Sequence, residues 1–91
     1  MKFTLYVKTG CPWCVEAVNY LRERGYPFEE VDVLKDASAF ERMVDLSGQS
    51  LAPTLLAGEL VLPDFDVGEL EAFLGENDIS SEDVEGDGEG A

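Results

Sequence analysis

Apolar residues recur in two patterns along the chain, and each pattern predicts a different secondary structure. Short segments dense in apolar residues are typical of strands, and they cover residues 2–8, 28–33, 54–57 and 60–62. Stretches with apolar residues three or four positions apart are typical of amphipathic helices, and they begin near residues 12, 38 and 67. The predicted order of elements is therefore β-α-β-α-β-β-α.

Residues that start or stop helices and turns set the predicted boundaries. The first helix is expected from Pro12 to Arg24, with Val15, Val18 and Leu21 inward, because Gly25 follows two arginines as a stop signal. Asp36 or Ser38 caps the second helix, and Gly75 ends the third. Gly58-Glu59 is a two-residue hairpin turn between two apolar runs.

The order of elements also predicts a topology. A strand–helix–strand start places two parallel strands side by side through a right-handed crossover, and the final hairpin adds antiparallel strands. We therefore predict an α/β fold, a mixed four-stranded sheet flanked by helices, in a single domain over residues 1–75.

Charge is distributed unevenly along the 91 residues. The formal net charge is −14 and the pI is about 4.1, which argues against nucleic acid as a partner. Residues 76–91 contain seven of the 20 acidic residues and no base, so this segment is expected to be a solvated, disordered acidic tail. Adaptation to a salty cytosol would produce a similar surface, and composition does not separate these explanations.

Missing residue types and segments narrow the expected chemistry and cellular location. The sequence has no histidine, which removes the commonest general base and metal ligand. It also shows neither a secretory signal nor an apolar run of membrane-spanning length. We therefore expect a cytoplasmic monomer without a membrane partner.

The two cysteines lie in the motif Cys11-Pro12-Trp13-Cys14, at the junction between the first strand and the first helix. Such a pair at such a junction is typical of a redox site. With Pro12 as the first helical residue, Cys11 becomes the N-cap, where unpaired N–H groups and the helix dipole favour a thiolate. Trp13 is expected to be exposed and, with Pro12, to contact a substrate. The alternative is that Trp13 only shields the sulfur.

The order of elements, together with this motif, resembles the glutaredoxin branch of the thioredoxin fold over residues 2–74. The segments that carry the resemblance are Tyr6–Cys14, Leu21–Val33, Ala52-Pro53-Thr54 and Gly58. The resemblance implies a thiol–disulfide oxidoreductase in which Cys11 attacks a disulfide and Cys14 resolves the mixed disulfide.

The resemblance also implies roles for three other residues. Pro53 is expected to follow a cis peptide bond, so that Ala52 offers its N–H and C=O to an extended peptide or thiol substrate. Lys8 is expected to stabilise the thiolate and to pair with a carboxylate of glutathione. Without the resemblance, the sequence favours Pro53 as the start of an edge strand and Lys8 as a solvated side chain.

The sequence departs from the family around the expected glutathione site. Leu62–Asp66 lacks the Gly-Gly pair that many glutaredoxins carry before an aspartate, and Leu51-Ala52-Pro53 replaces the usual Thr-Val-Pro. Phe65 and Asp66 are still expected to contribute to glutathione binding, because Asp66 begins the last helix and helix N–H groups bind carboxylates. The aspartate itself opposes an anion there.

Several functions fit these features. The leading hypothesis is reduction of protein disulfides or glutathionylated proteins, with no bound cofactor and with glutathione as reductant or co-substrate. Similarity around residues 25–29 and 57–60 suggests a hydrogen donor of ribonucleotide reductase, reduced by thioredoxin reductase. A glutathione-assisted iron–sulfur cluster bridging two chains is a further alternative, although two cysteines supply half of the ligands and no protein metal site is expected. The last alternative is a non-catalytic interaction module whose acidic tail docks a basic partner.

Overall fold

A mixed four-stranded sheet lies at the centre of the computed structural model, which describes residues 1–86. The elements in chain order are β1 (Phe3–Val7), α1 (Pro12–Glu23), β2 (Glu29–Asp32), α2 (Ala37–Ser47), β3 (Thr54–Ala57), β4 (Leu60–Leu62), α3 (Val67–Glu76) and a short 3-10 turn (Ser81–Asp83). The predicted order is confirmed, and the 3-10 turn is an addition. None of the helices in this part of the chain is long and apolar enough to cross a membrane.

The strands lie in the order β2-β1-β3-β4. β1 pairs in parallel with β2, so that Tyr6 lies opposite Val31. It pairs antiparallel with β3, which in turn forms the hairpin with β4. The predicted combination of one crossover and one hairpin is therefore confirmed, and it places the end of β1 and the start of β3 at the same end of the sheet.

Both faces of the sheet are covered, since side chains of β1 alternate between two cores. Phe3, Leu5 and Val7 face the larger core, to which α1 and α3 contribute. Tyr6 faces a smaller core formed with Val33 and α2. α1 and α3 therefore share one face of the sheet, and α2 covers the other.

The inward face of α1 differs from the predicted one. Val15 is 57% exposed, whereas Cys14, Ala17, Val18 and Leu21 are buried. Intervals of three, one and three residues keep these four side chains on one helical face. Val15 is rotated about 100° from Cys14 around the helix axis, which places it outside this face. The prediction that Val15 faces the core is wrong because Cys14 occupies the inward position.

The chain beyond α3 packs on the domain as far as Glu85, although disorder is predicted from residue 76. Ile79 and Val84 are each 6% exposed and belong to the larger core. The Tyr26 hydroxyl donates a hydrogen bond to the Ile79 carbonyl at 2.9 Å. Charge composition conceals these two apolar anchors, so the predicted boundary after residue 75 is too early. Residues 87–91 of the predicted tail lie outside the described residues.

The N-terminus is paired with the same segment. The Met1 ammonium donates to the Asp83 carbonyl at 2.9 Å, and the Glu85 N–H donates to the Met1 carbonyl at 2.7 Å. The Glu85 carboxylate lies 3.8 Å from the Met1 ammonium. We call residues 77–86 the C-terminal strap, because they connect α3 to the start of β1 and to Tyr26.

Candidate active site

The N-terminus of α1 is arranged around the sulfur of Cys11. The backbone of Cys11 is extended, Pro12 is the first helical residue, and Cys11 Sγ accepts a hydrogen bond from the Cys14 N–H at 3.2 Å. Gly10 has a φ of +84°, which places the chain in the left-handed region that glycine tolerates best. The predicted N-cap is confirmed, and the reactive atom lies at the positive end of the helix dipole.

The two cysteines, both present as free thiols, have different surroundings. Cys11 is half-buried, whereas Cys14 is 3% exposed. Burial, together with a hydrogen bond with the Cys11 side chain, raises the pKa of the Cys14 thiol to about 12, against opposing effects of Lys8. The arrangement presents one accessible sulfur and keeps the second sulfur protonated and adjacent.

The loop before β3 brings a backbone carbonyl to Cys11. The Ala52-Pro53 peptide bond is cis, as expected, and Pro53 is buried. The Ala52 carbonyl lies 3.9 Å from Cys11 Sγ. The Phe65 N–H donates to the Pro53 carbonyl at 3.4 Å, so the loop before α3 is joined to the same place.

A groove of about 230 Å³ runs beside Ala52. Its lining residues are Trp13, Ala52, Asp64, Phe65, Asp66 and Glu69. Trp13 is 58% exposed, and Phe65 is buried beneath the groove. The structure thus brings Trp13, Ala52, Phe65 and Asp66 together, four of the residues that the sequence suggested for substrate or glutathione binding.

The N-terminus of α3 differs from the carboxylate-binding site that the resemblance suggested. Asp66 Oδ1 accepts the Glu69 N–H at 2.8 Å, and Glu69 Oε1 accepts the Asp66 N–H at 3.0 Å. This reciprocal capping box uses N–H groups that a bound carboxylate would need. With Asp64, the groove has three acidic side chains and no base. Among residues 1–86, no three side chains of the metal-binding types are placed to hold an ion.

Lys8 is directed to the loop that precedes Ala52. Its Nζ donates to the Ser50 carbonyl at 2.9 Å and lies 5.9 Å from the centre of the Phe40 ring. Lys8 is absent from the lining of the groove beside Ala52. The position therefore connects the strand before Cys11 with the loop that carries Ala52.

A second cavity, of about 390 Å³, lies on the side of α1 where Cys14 packs. Thr9 and Asp32 line it together with Cys14, and the Thr9 hydroxyl donates a short hydrogen bond to the Asp32 carboxylate. This hydrogen bond is the largest cause of the lowered pKa of Asp32. Neither residue had a role assigned from the sequence. Thr9 adjoins the motif, but its partner Asp32 ends β2 and is brought beside it only by the pairing of β1 with β2.

Sequence reasoning also missed Glu69 and Gln49. The spacing of Asp66 and Glu69 is the signature of a capping box, so this pair was open to prediction. Gln49 forms hydrogen bonds with Leu51, Ser47 and Thr54 in the loop before Ala52. No sequence motif marks an isolated glutamine as part of such a network.

Comparison with known proteins places this site in a family. The profile of the glutaredoxin family matches residues 3–61, which is more than half of the chain. The chain belongs to the glutaredoxin family. It is 29% identical, over 70 residues, to an uncharacterized glutaredoxin-like 8.6 kDa protein in the rubredoxin operon of Clostridium pasteurianum, covering 77% of this chain and 93% of that protein.

Solved structures agree with this assignment. The crystal structure of a thioredoxin-like protein is similar with a TM-score of 0.73 and 30% identity, covering 80% of this chain and 100% of the other. The glutaredoxin-like protein NrdH-redoxin from Escherichia coli, which has a thioredoxin-like activity profile, is similar with a TM-score of 0.62 and 27% identity. That similarity covers 68% of this chain and 80% of NrdH-redoxin.

Proposed function

We propose that this glutaredoxin-family protein is a dithiol–disulfide oxidoreductase that reduces disulfides in other proteins. The observation that carries the proposal is the contrast between the cysteines: Cys11 is accessible at a helix N-terminus, whereas the Cys14 thiol beside it is buried with a raised pKa. An attacking thiol must reach its substrate, and a resolving thiol must stay near the first sulfur.

The reaction proceeds in two exchanges. The thiolate of Cys11 attacks one sulfur of the substrate disulfide, a mixed disulfide forms, and the leaving thiolate takes a proton from solvent. Cys14 then gives its proton to solvent and attacks Cys11 Sγ, which releases the second substrate thiolate. The substrate gains two electrons, and the protein is left with a disulfide between Cys11 and Cys14.

An external reductant must restore the dithiol, and we propose that a thioredoxin reductase suits this site better than glutathione. Glutathione carries two carboxylates, and the groove beside Ala52 presents Asp64, Asp66 and Glu69. The capping box also occupies N–H groups at the start of α3. The similarity to NrdH-redoxin, with its thioredoxin-like activity profile, supports the same choice. We place this cycle in the reducing cytoplasm.

Trapping of the mixed disulfide tests the reaction. The Cys14→Ser variant is incubated with an oxidised protein such as insulin, then quenched with acid and analysed by intact mass. We expect an adduct joined through Cys11, because the resolving thiol is missing. Cys11→Ser is the matched control and should form no adduct. An adduct through Cys14 in the control, at a similar rate, would reverse the assigned roles.

The reductant is tested on the oxidised wild-type protein. One reaction contains glutathione, glutathione reductase and NADPH, and the other contains thioredoxin reductase and NADPH. We expect faster NADPH oxidation with thioredoxin reductase, because binding to this enzyme does not require anions to enter the acidic groove. Faster reduction by glutathione would show that the groove accepts its carboxylates, and the proposed preference would be wrong.

A further inference from the structure

Gln49 lies at the centre of the loop that carries Ala52 towards Cys11. The loop spans residues 48–53 and joins α2 to β3. Its Ala52 carbonyl is 3.9 Å from Cys11 Sγ. Within residues 1–86, the Ala52 N–H has no hydrogen-bond acceptor. The backbone of Ala52 is therefore the part of the loop that can pair with an extended substrate.

The side-chain amide of Gln49 connects three parts of the fold. Its Oε1 accepts the Leu51 N–H at 2.7 Å, and its Nε2 donates towards the Leu51 carbonyl at 3.2 Å. Nε2 also donates to Ser47 Oγ at 2.8 Å and to Thr54 Oγ1 at 3.1 Å. The amide thus joins the end of α2, the loop and the first residue of β3.

The partners of Gln49 are themselves held in place. Thr54 is buried, and its hydroxyl donates to the Leu51 carbonyl at 2.8 Å. The Ser47 hydroxyl donates to the Met43 carbonyl at 2.6 Å. Both backbone groups of Leu51 are therefore bound from inside the loop, by Gln49 and by a buried hydroxyl.

Lys8 holds the adjacent residue from the outside. Its ammonium donates to the Ser50 carbonyl at 2.9 Å, so Ser50 and Leu51 are fixed by different side chains. Ala52 follows directly, and its direction is set by the residues before it. Hydrogen bonds that fix the main chain reduce the conformational entropy that a substrate would otherwise have to remove.

We propose that Gln49 is a positioning residue, which aligns the Ala52 backbone for pairing with an extended peptide disulfide. The inference rests on the proposed function and adds a requirement to it. Gln49 acts through Ala52, so it matters for substrates whose main chain pairs with that residue. A small disulfide without a peptide backbone needs the Cys11 sulfur alone and does not depend on Gln49.

The test compares two substrates in three proteins: the wild type, Gln49→Ala and Gln49→Met. The substrates are a disulfide-linked peptide and hydroxyethyl disulfide, with kcat and KM measured for each. We expect both variants to raise the KM for the peptide by about tenfold, since one or two hydrogen bonds to the loop are lost. For hydroxyethyl disulfide we expect kcat/KM within about twofold of wild type, because Cys11 keeps its cap.

Gln49→Met separates hydrogen bonding from packing, because methionine fills a similar volume without donating or accepting strongly. A wild-type KM for the peptide in Gln49→Met would show that bulk alone matters, and the inference would be wrong. Asn77→Ala is the matched control, since it removes an amide that donates to the Phe73 carbonyl at 2.9 Å in another part of the molecule. This variant should leave both substrates unaffected.

Other outcomes are equally decisive. An equal loss with both substrates in the Gln49 variants would mean a general disturbance of the site rather than positioning. An unchanged KM for both substrates would overturn the inference while the proposed function stands. If the wild-type protein reduces neither substrate, the proposed function fails, and the role of Gln49 fails with it.

Discussion

Helices α1 and α3 present their N-termini to one groove, but they satisfy the N–H groups there in different ways. α1 is capped by Cys11 and has no acidic residue in its first turn. α3 is capped by Asp66, with Glu69 completing a reciprocal box. At α1, the N–H group of Cys14 is bonded to a polarisable sulfur. At α3, the N–H groups of Asp66 and Glu69 are bonded to carboxylates of the same helix. The N-terminus of α1 therefore presents a sulfur to the groove, whereas the N-terminus of α3 presents carboxylates.

The largest expected effect comes from replacing Cys11, which both caps α1 and is the proposed attacking thiol. Cys11→Ser should stop disulfide reduction, because a hydroxyl does not form a mixed disulfide. Serine is a preferred N-cap residue, so it can still accept the Cys14 N–H, and we expect the melting temperature to stay within about 2 °C of the wild type. Thermal melting and an insulin-reduction assay check the two halves of this prediction. A large drop in melting temperature would show that the sulfur contributes to the fold beyond its role as a cap.

The next effect concerns the C-terminal strap, which follows α3 and adds two side chains to the larger core. Deletion of residues 77–91 removes the buried side chains of Ile79 and Val84, and we expect the free energy of unfolding to fall by roughly 2–5 kcal/mol. Denaturant unfolding measures the change. A chain that ends at Gly86 is measured beside it, so that the loss caused by residues 77–86 is obtained separately. If the two shortened chains were equally stable, the burial of Ile79 and Val84 would contribute little.

A smaller effect is expected on the pH dependence of stability, and it comes from the buried Cys14 thiol. The raised pKa means that folded Cys14 keeps its proton up to a pH of about 12, whereas an unfolded thiol loses it near pH ~8.5. The unfolded state therefore binds fewer protons over this range, so rising pH favours it. For the reduced protein, we expect the free energy of unfolding to fall by at most about 1.4 kcal/mol per pH unit above that point.

Cys14→Ser is the comparison for this pH dependence, because serine does not titrate in the range. Guanidinium unfolding of both reduced proteins between pH 7 and 10 gives the two slopes. The difference between the slopes isolates Cys14 from the tyrosines and lysines, which titrate in both proteins. Parallel slopes would mean that the folded environment does not hold the proton on Cys14.

The smallest expected effect concerns the acidic residues at and before the N-terminus of α3 and the rate of reduction by glutathione. Asp64→Asn combined with Glu69→Gln should increase the rate of reduction by glutathione about two- to fivefold at low salt, since exposed charges contribute little individually. Glutamine preserves a capping box, and asparagine tolerates the positive φ of 47° at residue 64. Added salt should remove the gain.

Net charge must be separated from local charge in that experiment. Glu23→Gln combined with Glu76→Gln removes two charges at the C-terminal ends of α1 and α3, away from the groove. This control should leave the rate with glutathione near that of the wild type. Equal gains in both double variants would assign the effect to the overall charge of the protein.

Much of the fold could be predicted from the sequence, because local signals agreed with the long-range arrangement. The hairpin at Gly58-Glu59 and the cap at Cys11 each depend on neighbouring residues, and both are confirmed. The strap was missed because its composition is acidic. Two apolar residues among many charges leave little periodic signal, yet Ile79 and Val84 fill spaces that exist only after α1, α3 and the sheet have assembled.

The candidate site also has a part that local sequence predicts and a part that depends on tertiary packing. Cys11 and Cys14 are close in sequence, so their relation follows from helix geometry. The direction of Lys8 towards Ser50 and the hydrogen bonds of Gln49 depend on how the loop before β3 crosses the end of β1. Side-chain directions across such a crossing are fixed by tertiary packing, which single-sequence patterns do not encode.

The strand order has a consequence for aggregation. The sheet ends at β2 and β4, and exposed edges of this kind can template the joining of one chain to another. β2 presents Glu29 and Glu30 to solvent, so two such edges would bring like charges together. β4 is three residues long and is followed by Pro63, which lacks the N–H that would extend a ladder. Both open sides of the sheet are thereby protected against intermolecular strand pairing.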